Sequence, residues 1–188
     1  MLVDIAGEGM PAHMWSALAA PGQSILEFGR ERATRDTGGF SWKNAVVAEV
    51  RGEVAASLVG YRLDDPYDLG ALAEMPPIVQ PLLKLEAKAP GSWYVNVLAT
   101  FPEFRRLGIA AKLLEIAESK GREVDAPALS VIVGSWNETA CAPLPPRRLC
   151  RSRHRVRDPV SRISPHRRLG LNGKVAHERH LTEKHGQT

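Results

Sequence analysis

The first 140 residues contain no cysteine, and the segment 141–188 contains no aromatic residue. The first absence removes disulfides and thiolate metal sites from the front of the chain, and with them any argument for an oxidising compartment. The second removes the large anchors of a packed core and the rings on which unpaired bases stack. No run approaches the ~20 apolar residues of a membrane span. The opening "MLVDIAGEGM" has no basic lead and no sustained apolar stretch, so no secretory leader is read there. A cytoplasmic protein is expected.

What is present is unevenly placed. Residues 1–140 carry 13 Lys+Arg against 18 Asp+Glu, a net of −5, whereas residues 141–188 carry 12 against 3, a net of +9. Both cysteines and five of the six histidines also lie after residue 140. At 188 residues and 44% hydrophobic, the chain is long enough for one domain with a real core. The patterning assigns that domain to 1–140 and makes 141–188 a basic, disordered tail, too charged and too poor in apolar residues to fold.

The front part reads as α/β. "PAHMWSALAA" (11–20) and "SILEFGRERATR" (24–35) predict two short helices, the second opened by Ser24 with Glu27 as a capping box. "NAVVAEVRGEVAASLVGYRL" (44–63) predicts a hairpin turning at Arg51-Gly52. A short helix over 78–88 follows the Pro76-Pro77 break. "SWYVNVLAT" (92–100) and "ALSVIVGSW" (128–136) predict buried strands joined by a helix over 103–124, whose Ala110, Leu113, Leu114 and Ala117 form one apolar stripe. "NETA" (137–140) predicts another helix start, with Asn137 as N-cap. Strand, helix, strand at this spacing is a parallel βαβ unit, which takes ligands at the carboxyl ends of its strands.

The chemistry centres on "VLATFPEFRRLGIAAKLL" (97–114). A strand ends, Pro102 turns the chain, two arginines follow, and Gly108 sits at a helix start. That is the make-up of an anion site. A helix N-terminus offers unpaired amides and the positive end of its dipole, Gly108 lets an anion approach the backbone, and Arg105 and Arg106 bring forked donors suited to phosphate. The plain alternative is an ordinary helix start with two solvated arginines. Neither a Walker loop nor a dinucleotide fingerprint is present.

This stretch resembles motif A of the GNAT superfamily of N-acetyltransferases, V-x-P-x-x-[RQ]-x-x-G-x-[GA]. Pro102, Arg105, Gly108 and Ala110 match, and Thr100 stands where Val is usual. "SVIVGSWNETA" resembles the next motif, with Asn137 opening a helix and Ala140 three residues on. The resemblance covers about residues 10–140. It implies a mixed central sheet flanked by helices, with acetyl-CoA as co-substrate entering a gap between two splayed strands. It implies that backbone groups of Leu98, Ala99 and Thr100 pair with the pantetheine arm. The run Arg105, Arg106, Leu107, Gly108, Ile109 and Ala110 would hold the pyrophosphate, with Asn137 also among the cofactor-binding residues. An amine, on a small molecule or a peptide, would attack the thioester directly after losing a proton. A homodimer is compatible with the family.

The sequence departs from the family twice. No counterpart of the first strand precedes the opening helices, and after Asn137 the expected N-x-x-A-x-x-L-Y-x-x-x-G-[FY] is replaced by "NETACAPLPPRRLC". The tyrosine that would protonate the leaving thiolate is absent, as are the last helix and strands. A shifted reading frame after Ala140 accounts for this. With codons starting one base later, Pro143 permits Leu, Leu144 permits Tyr, Arg148 permits Gly and Leu149 permits Tyr. The same frame permits "DWVLM" over 168–172. In the unshifted chain, "ALSVIV" is expected to present an open edge prone to aggregation, and acetyl transfer to be negligible.

Other groups carry weaker signals. Asp64, Asp65 and Asp68 suit either a cationic amine or a solvated loop. Glu86 and Asn96 are candidates to act near the acceptor, no catalytic base is named, and His13 reads as a helix-surface residue. Cys141, Cys150, His154 and His166 fit no standard zinc spacing, so no metal is expected. The rival reading is a nucleic-acid-binding protein whose arm "RRLCRSRHRVR" neutralises phosphates beside a non-catalytic α/β domain; without stacking aromatics that partner is disfavoured. The coding DNA across codon 140 tests the frame. Deleting one base there, or inserting two, should give L-Y-x-x-x-G-Y followed by strand-like alternation, and a stop codon or polar repeat in that frame would refute it.

Overall fold

The computed structural model describes residues 1–134, Asn137 and the backbone of residues 173–177. Three short helices open the chain: α1 (Leu2–Ala6), α2 (Met10–Leu18) and α3 (Ile25–Ala33). The second and third are those the sequence predicts. The capping box forms as expected, with Glu27 N–H donating to Ser24 Oγ at 3.2 Å and Ser24 N–H to Glu27 Oε2 at 2.9 Å. Helix α1 was not anticipated, since "LVDIA" is too short to show a period. Asp4 Oδ1 holds it against α2 by accepting from Ala12 N–H at 2.9 Å. Trp15, 7% exposed, packs on α3 where Gly29 leaves no room for a Cβ.

The hairpin follows as β1 (Ala45–Val50) and β2 (Glu53–Arg62), antiparallel. Its turn is Arg51-Gly52, with φ of 54° and 81°. Two positive φ values match the right-handed twist of the flanking strands. Helix α4 (Gln80–Glu86) then leads to β3 (Trp93–Thr100), α5 (Ile109–Glu123) and β4 (Leu129–Gly134). The sheet order is β1-β2-β3-β4, with β3 and β4 parallel and the other pairs antiparallel. This is the mixed sheet flanked by helices that the sequence implies.

Helix α5 begins later than expected. Residues 102–104 form a 3-10 turn, and Arg106 and Gly108 adopt φ of 65° and 75°, which no α-helix accommodates. Past Gly108 the predicted stripe holds. Leu113 and Ala117 are buried against Ala56, Leu58, Trp93 and Val95 on one face of the sheet. Burying a side chain such as Leu58 contributes about 1.5–3 kcal/mol. Successive strand residues point to opposite faces, so Tyr94, between Trp93 and Val95, looks the other way. There it joins Leu63, Ala89, Tyr61, Tyr67 and Ile132 in a second cluster. Between the faces, Ser92 Oγ and Ser130 Oγ share a buried hydrogen bond of 2.6 Å that ties the start of β3 to β4.

A correction concerns the far edge. The sequence left β4 open, but residues 173–177 form β5 (Gly173–His177), antiparallel to β4 from Ser130↔His177 to Gly134↔Gly173. An open edge offers backbone donors and acceptors to any Pro-free segment, whatever its side chains. The helix start at 138–140, the proposed frame change and the rest of the basic arm lie outside the described residues. Among the described residues, no helix is long and apolar enough to cross a membrane.

The register of β2 with β3 slips between Val59↔Val97 and Gly60↔Val95, leaving Asn96 as an extra residue in β3. Beside this bulge, a Cβ on Gly60 would lie 2.8 Å from Trp93 Nε1 and 3.1 Å from Tyr94 O. Gly60→Ala should therefore cost about 1–3 kcal/mol through overpacking. Urea unfolding measures it, and an unchanged midpoint would show that the two strands yield freely at the bulge.

Candidate active site

The site is built around that bulge. β3 and β4 pair only from Trp93↔Leu129 to Val95↔Val131, although β3 runs on to Thr100 and β4 to Gly134. The pairing stops where Asn96 is inserted. A bulge bends its strand and increases its twist, so beyond Asn96 the two strands part. Their facing edges, 96–100 on β3 and 132–134 on β4, are left without each other's hydrogen bonds. An amide-bearing chain entering the gap meets the donors and acceptors that an added strand would meet.

The gap leads to the start of α5. The amides from Arg106 through Ala111 donate to no acceptor among the described residues; the next one, Lys112 N–H, reaches Gly108 O at 3.2 Å. Free amides at a helix N-terminus, with the dipole's positive end behind them, form a ready anion cradle. Gly108 caps the helix at φ 75°, and nothing lies within 4 Å of where its Cβ would be. The approach to the cradle is thus open. Arg105, Arg106, Leu107 and Gly108 are exposed, and Ile109 and Ala110 half-buried. Arg105 is steadied by a 3.3 Å bond from its Nε to Thr100 O, which occupies that carbonyl. Neither arginine has an acidic partner among the described residues.

Leu98, Ala99 and Thr100 thus stand on the edge lining the gap, continuous with the run 105–110. Asn137 Nδ2 donates to Glu8 Oε1 at 2.6 Å, tying the chain beyond β4 to the turn after α1.

On the sheet face away from α5 lies a polar cluster within apolar packing. Tyr67 Oη donates to Glu86 Oε2 at 2.6 Å. The rings of Tyr61 and Tyr94 meet edge-on, with centroids 5.6 Å apart, and the Asn96 side chain lies close enough to the Tyr94 phenol to favour its charged form. Burial pushes the Glu86 carboxyl above the usual carboxylate range, against the pull of the Tyr67 hydroxyl. Burial, reinforced by the nearby Glu86 charge, pushes the phenols of Tyr61, Tyr67 and Tyr94 up. Glu86 and Asn96, singled out from the sequence, are therefore linked through tyrosines that sequence reasoning passed over. Tyr67 and Glu86 are 19 residues apart across an irregular loop, so no spacing pairs them. The Asn96 bulge had a signal in the lone polar residue inside "WYVNVLAT".

The acidic run behaves mostly as a solvated loop. Asp68 Oδ1 accepts from Gly70 N–H at 2.7 Å, while Asp64 and Asp65 line an open recess of about 210 Å³ with Arg62 and Leu63. Among the described residues no three His, Cys, Asp or Glu side chains gather as metal ligands.

The acetyltransferase (GNAT) family profile matches residues 14–142. The chain belongs to the GNAT acetyltransferase family. Among solved structures, a mosquito arylalkylamine N-acetyltransferase-like 5b is similar, at 16% identity, with a TM-score of 0.51 and coverage of 72% of this chain and 74% of that one. An N-acetyltransferase from Staphylococcus aureus Mu50 is 19% identical, with a TM-score of 0.49 and coverage of 93% and 92%. A protein described as an acetyltransferase is 21% identical, with a TM-score of 0.49 and coverage of 75% and 77%. No curated protein sequence matches the chain. These identities speak to the GNAT fold alone.

The backbone at the cradle makes opposite demands at neighbouring positions. An L-residue in the left-handed region costs about 1–2 kcal/mol, set against about 0.5–1 kcal/mol for the extra freedom of glycine. Arg106→Gly should leave stability unchanged or raise it by up to about 1 kcal/mol, whereas Gly108→Ala should lower it by about 1 kcal/mol. Chemical denaturation of both variants reads the difference, and effects of the same sign would contradict these two conformations.

Proposed function

We propose that the chain binds acetyl-CoA in the β3–β4 gap and transfers its acetyl group to an amine. The reading is carried by one observation: the gap opened at Asn96 ends at free amides from Arg106 through Ala111, flanked by two unpaired arginines. Those amides and guanidiniums suit a pyrophosphate. The bare edge at Leu98 and Ala99 suits the amide-bearing pantetheine arm, as an added strand suits a sheet edge. When bound, acetyl-CoA supplies the thioester carbonyl that the amine attacks.

The chain's own residues then orient and exclude. β3 fixes the arm's direction and brings its reactive end back toward the bulge. The α5 dipole and the arginines anchor the opposite end. Such fixed placement supplies much of the rate by turning an encounter of two molecules into a reaction within one complex.

Replacing Arg105 and Arg106 together by Glu puts negative charge at the cradle. Acetyl-CoA affinity should fall by about tenfold or more, since loss of one charged contact costs on the order of 1.5–3 kcal/mol. Calorimetric titration of acetyl-CoA into both proteins reads the change, with thiol release on simple amines as the measure of turnover. Equal affinities would remove the phosphate assignment.

A further inference from the structure

We propose that Glu86, held by Tyr67 beside the Tyr61–Tyr94 pair, receives the ammonium group of the acceptor and takes its proton. The inference rests on the acetyl-CoA reading and names the other half of the same site.

Position comes first. If phosphate lies at α5 and the arm runs back along Thr100, Ala99 and Leu98, the thioester end reaches the bulge at Asn96. The next residue that looks to the face away from α5 is Tyr94. Tyr94 lies two residues from Asn96 on β3 and meets the Tyr61 ring edge-on. Glu86 lies close enough to both phenols to raise them. From Tyr94 the packed cluster with Tyr61 and Tyr67, and the bond from Tyr67 to Glu86, lead to one carboxylate on the side of the sheet that α5 does not occupy.

The chemistry fits a cation. Glu86 is half-buried, and only its Oε2 is taken, by Tyr67. Its Oε1 has no hydrogen-bond partner among the described residues, and it is not sealed from solvent. A half-buried carboxylate with one oxygen free is a receptor for an N–H⁺ donor. Aromatic rings attract the same cation through their faces. The groups bearing on Glu86 are Tyr61 from β2, Tyr94 from β3 and Tyr67 from the preceding loop, with Asp64 acting on Tyr67; β4 brings the apolar Ile132. None of them is a cation that would compete for the carboxylate.

The step balances. The ammonium gives one proton to Glu86 Oε1 and becomes a neutral amine. Its lone pair forms the C–N bond to the thioester carbonyl carbon while the C–S bond breaks. The thiolate leaves and takes up a proton, the nitrogen sheds its second proton to water, and Glu86 returns its own to solvent. A carboxyl raised by burial is better matched to this task than an exposed one, because a base works best with its pKa near the working pH.

The test uses the full chain with CoA, which binds without reacting, and measures binding of benzylamine and butylamine from pH 5 to 9. Wild type should bind both amines, with affinity falling as pH drops through the titration of Glu86. E86Q should weaken amine binding tenfold or more and flatten the pH profile, with CoA binding unchanged. Y67F keeps the carboxylate but removes the hydroxyl that favours its charged form, so its acid limb should move to higher pH while the fold persists. Equal amine binding by wild type and E86Q, an unmoved limb in Y67F, or no amine binding by a chain that binds CoA would each overturn the assignment and leave the acetyl-CoA reading intact. The amine titrations are repeated without CoA. Failure of CoA to bind, with Glu86-dependent amine binding retained, would overturn the acetyl-CoA reading instead.

Discussion

One inserted residue governs this structure. Asn96 has no partner on β2, and the bend it causes ends the pairing of β3 with β4 after Val95↔Val131. Without it, two parallel strands of this length would zip together and leave only a surface. With it, the sheet keeps its core below the bulge and opens a main-chain-lined gap above. The arrangement is stable because the closed part is well fastened: Ser92 and Ser130 share a buried bond, and α5 lays Leu113 and Ala117 on the strands beneath. An open gap costs ladder hydrogen bonds, each worth about 0.5–1.5 kcal/mol net. A ligand that pairs with both edges regains part of that.

The two ends of the gap are chemically different. At the α5 end, exposed arginines and free amides favour negative charge. At the bulge end, on the opposite face, a half-buried carboxylate among tyrosines favours positive charge. A molecule with phosphates at one end and a reactive acyl group at the other, meeting a cationic nucleophile, matches that polarity along the sheet. The strain follows the same map. Arg106 holds a left-handed conformation at the α5 end, and such cost is commonly tolerated at ligand sites.

Much of the fold was legible because its signals are local. The Ser24 capping box, the Arg51-Gly52 turn and the α5 stripe each rest on residues a few positions apart. The family motif at 97–114 was legible for the same reason, since strand end, arginines and glycine are contiguous. What escaped depends on distant pairing. The bulge is a matter of register between β2 and β3, and the bond from Tyr67 to Glu86 crosses a proline-broken loop to reach the end of α4. Strand β5 was invisible because its pairing rests on the backbone of β4. The late start of α5 was missed because helix periodicity says nothing of the φ values at Arg106 and Gly108.

The central claim is that the gap above Asn96 and the cradle before α5 form one ligand site. Amide NMR of the full chain, with and without acetyl-CoA, tests it most directly. The account predicts large shifts and slowed exchange for Val97 through Ala99 and for Arg106 through Ala111, with little change at Trp93 through Val95. Perturbation confined to other parts of the chain, or none at saturating acetyl-CoA, would contradict it.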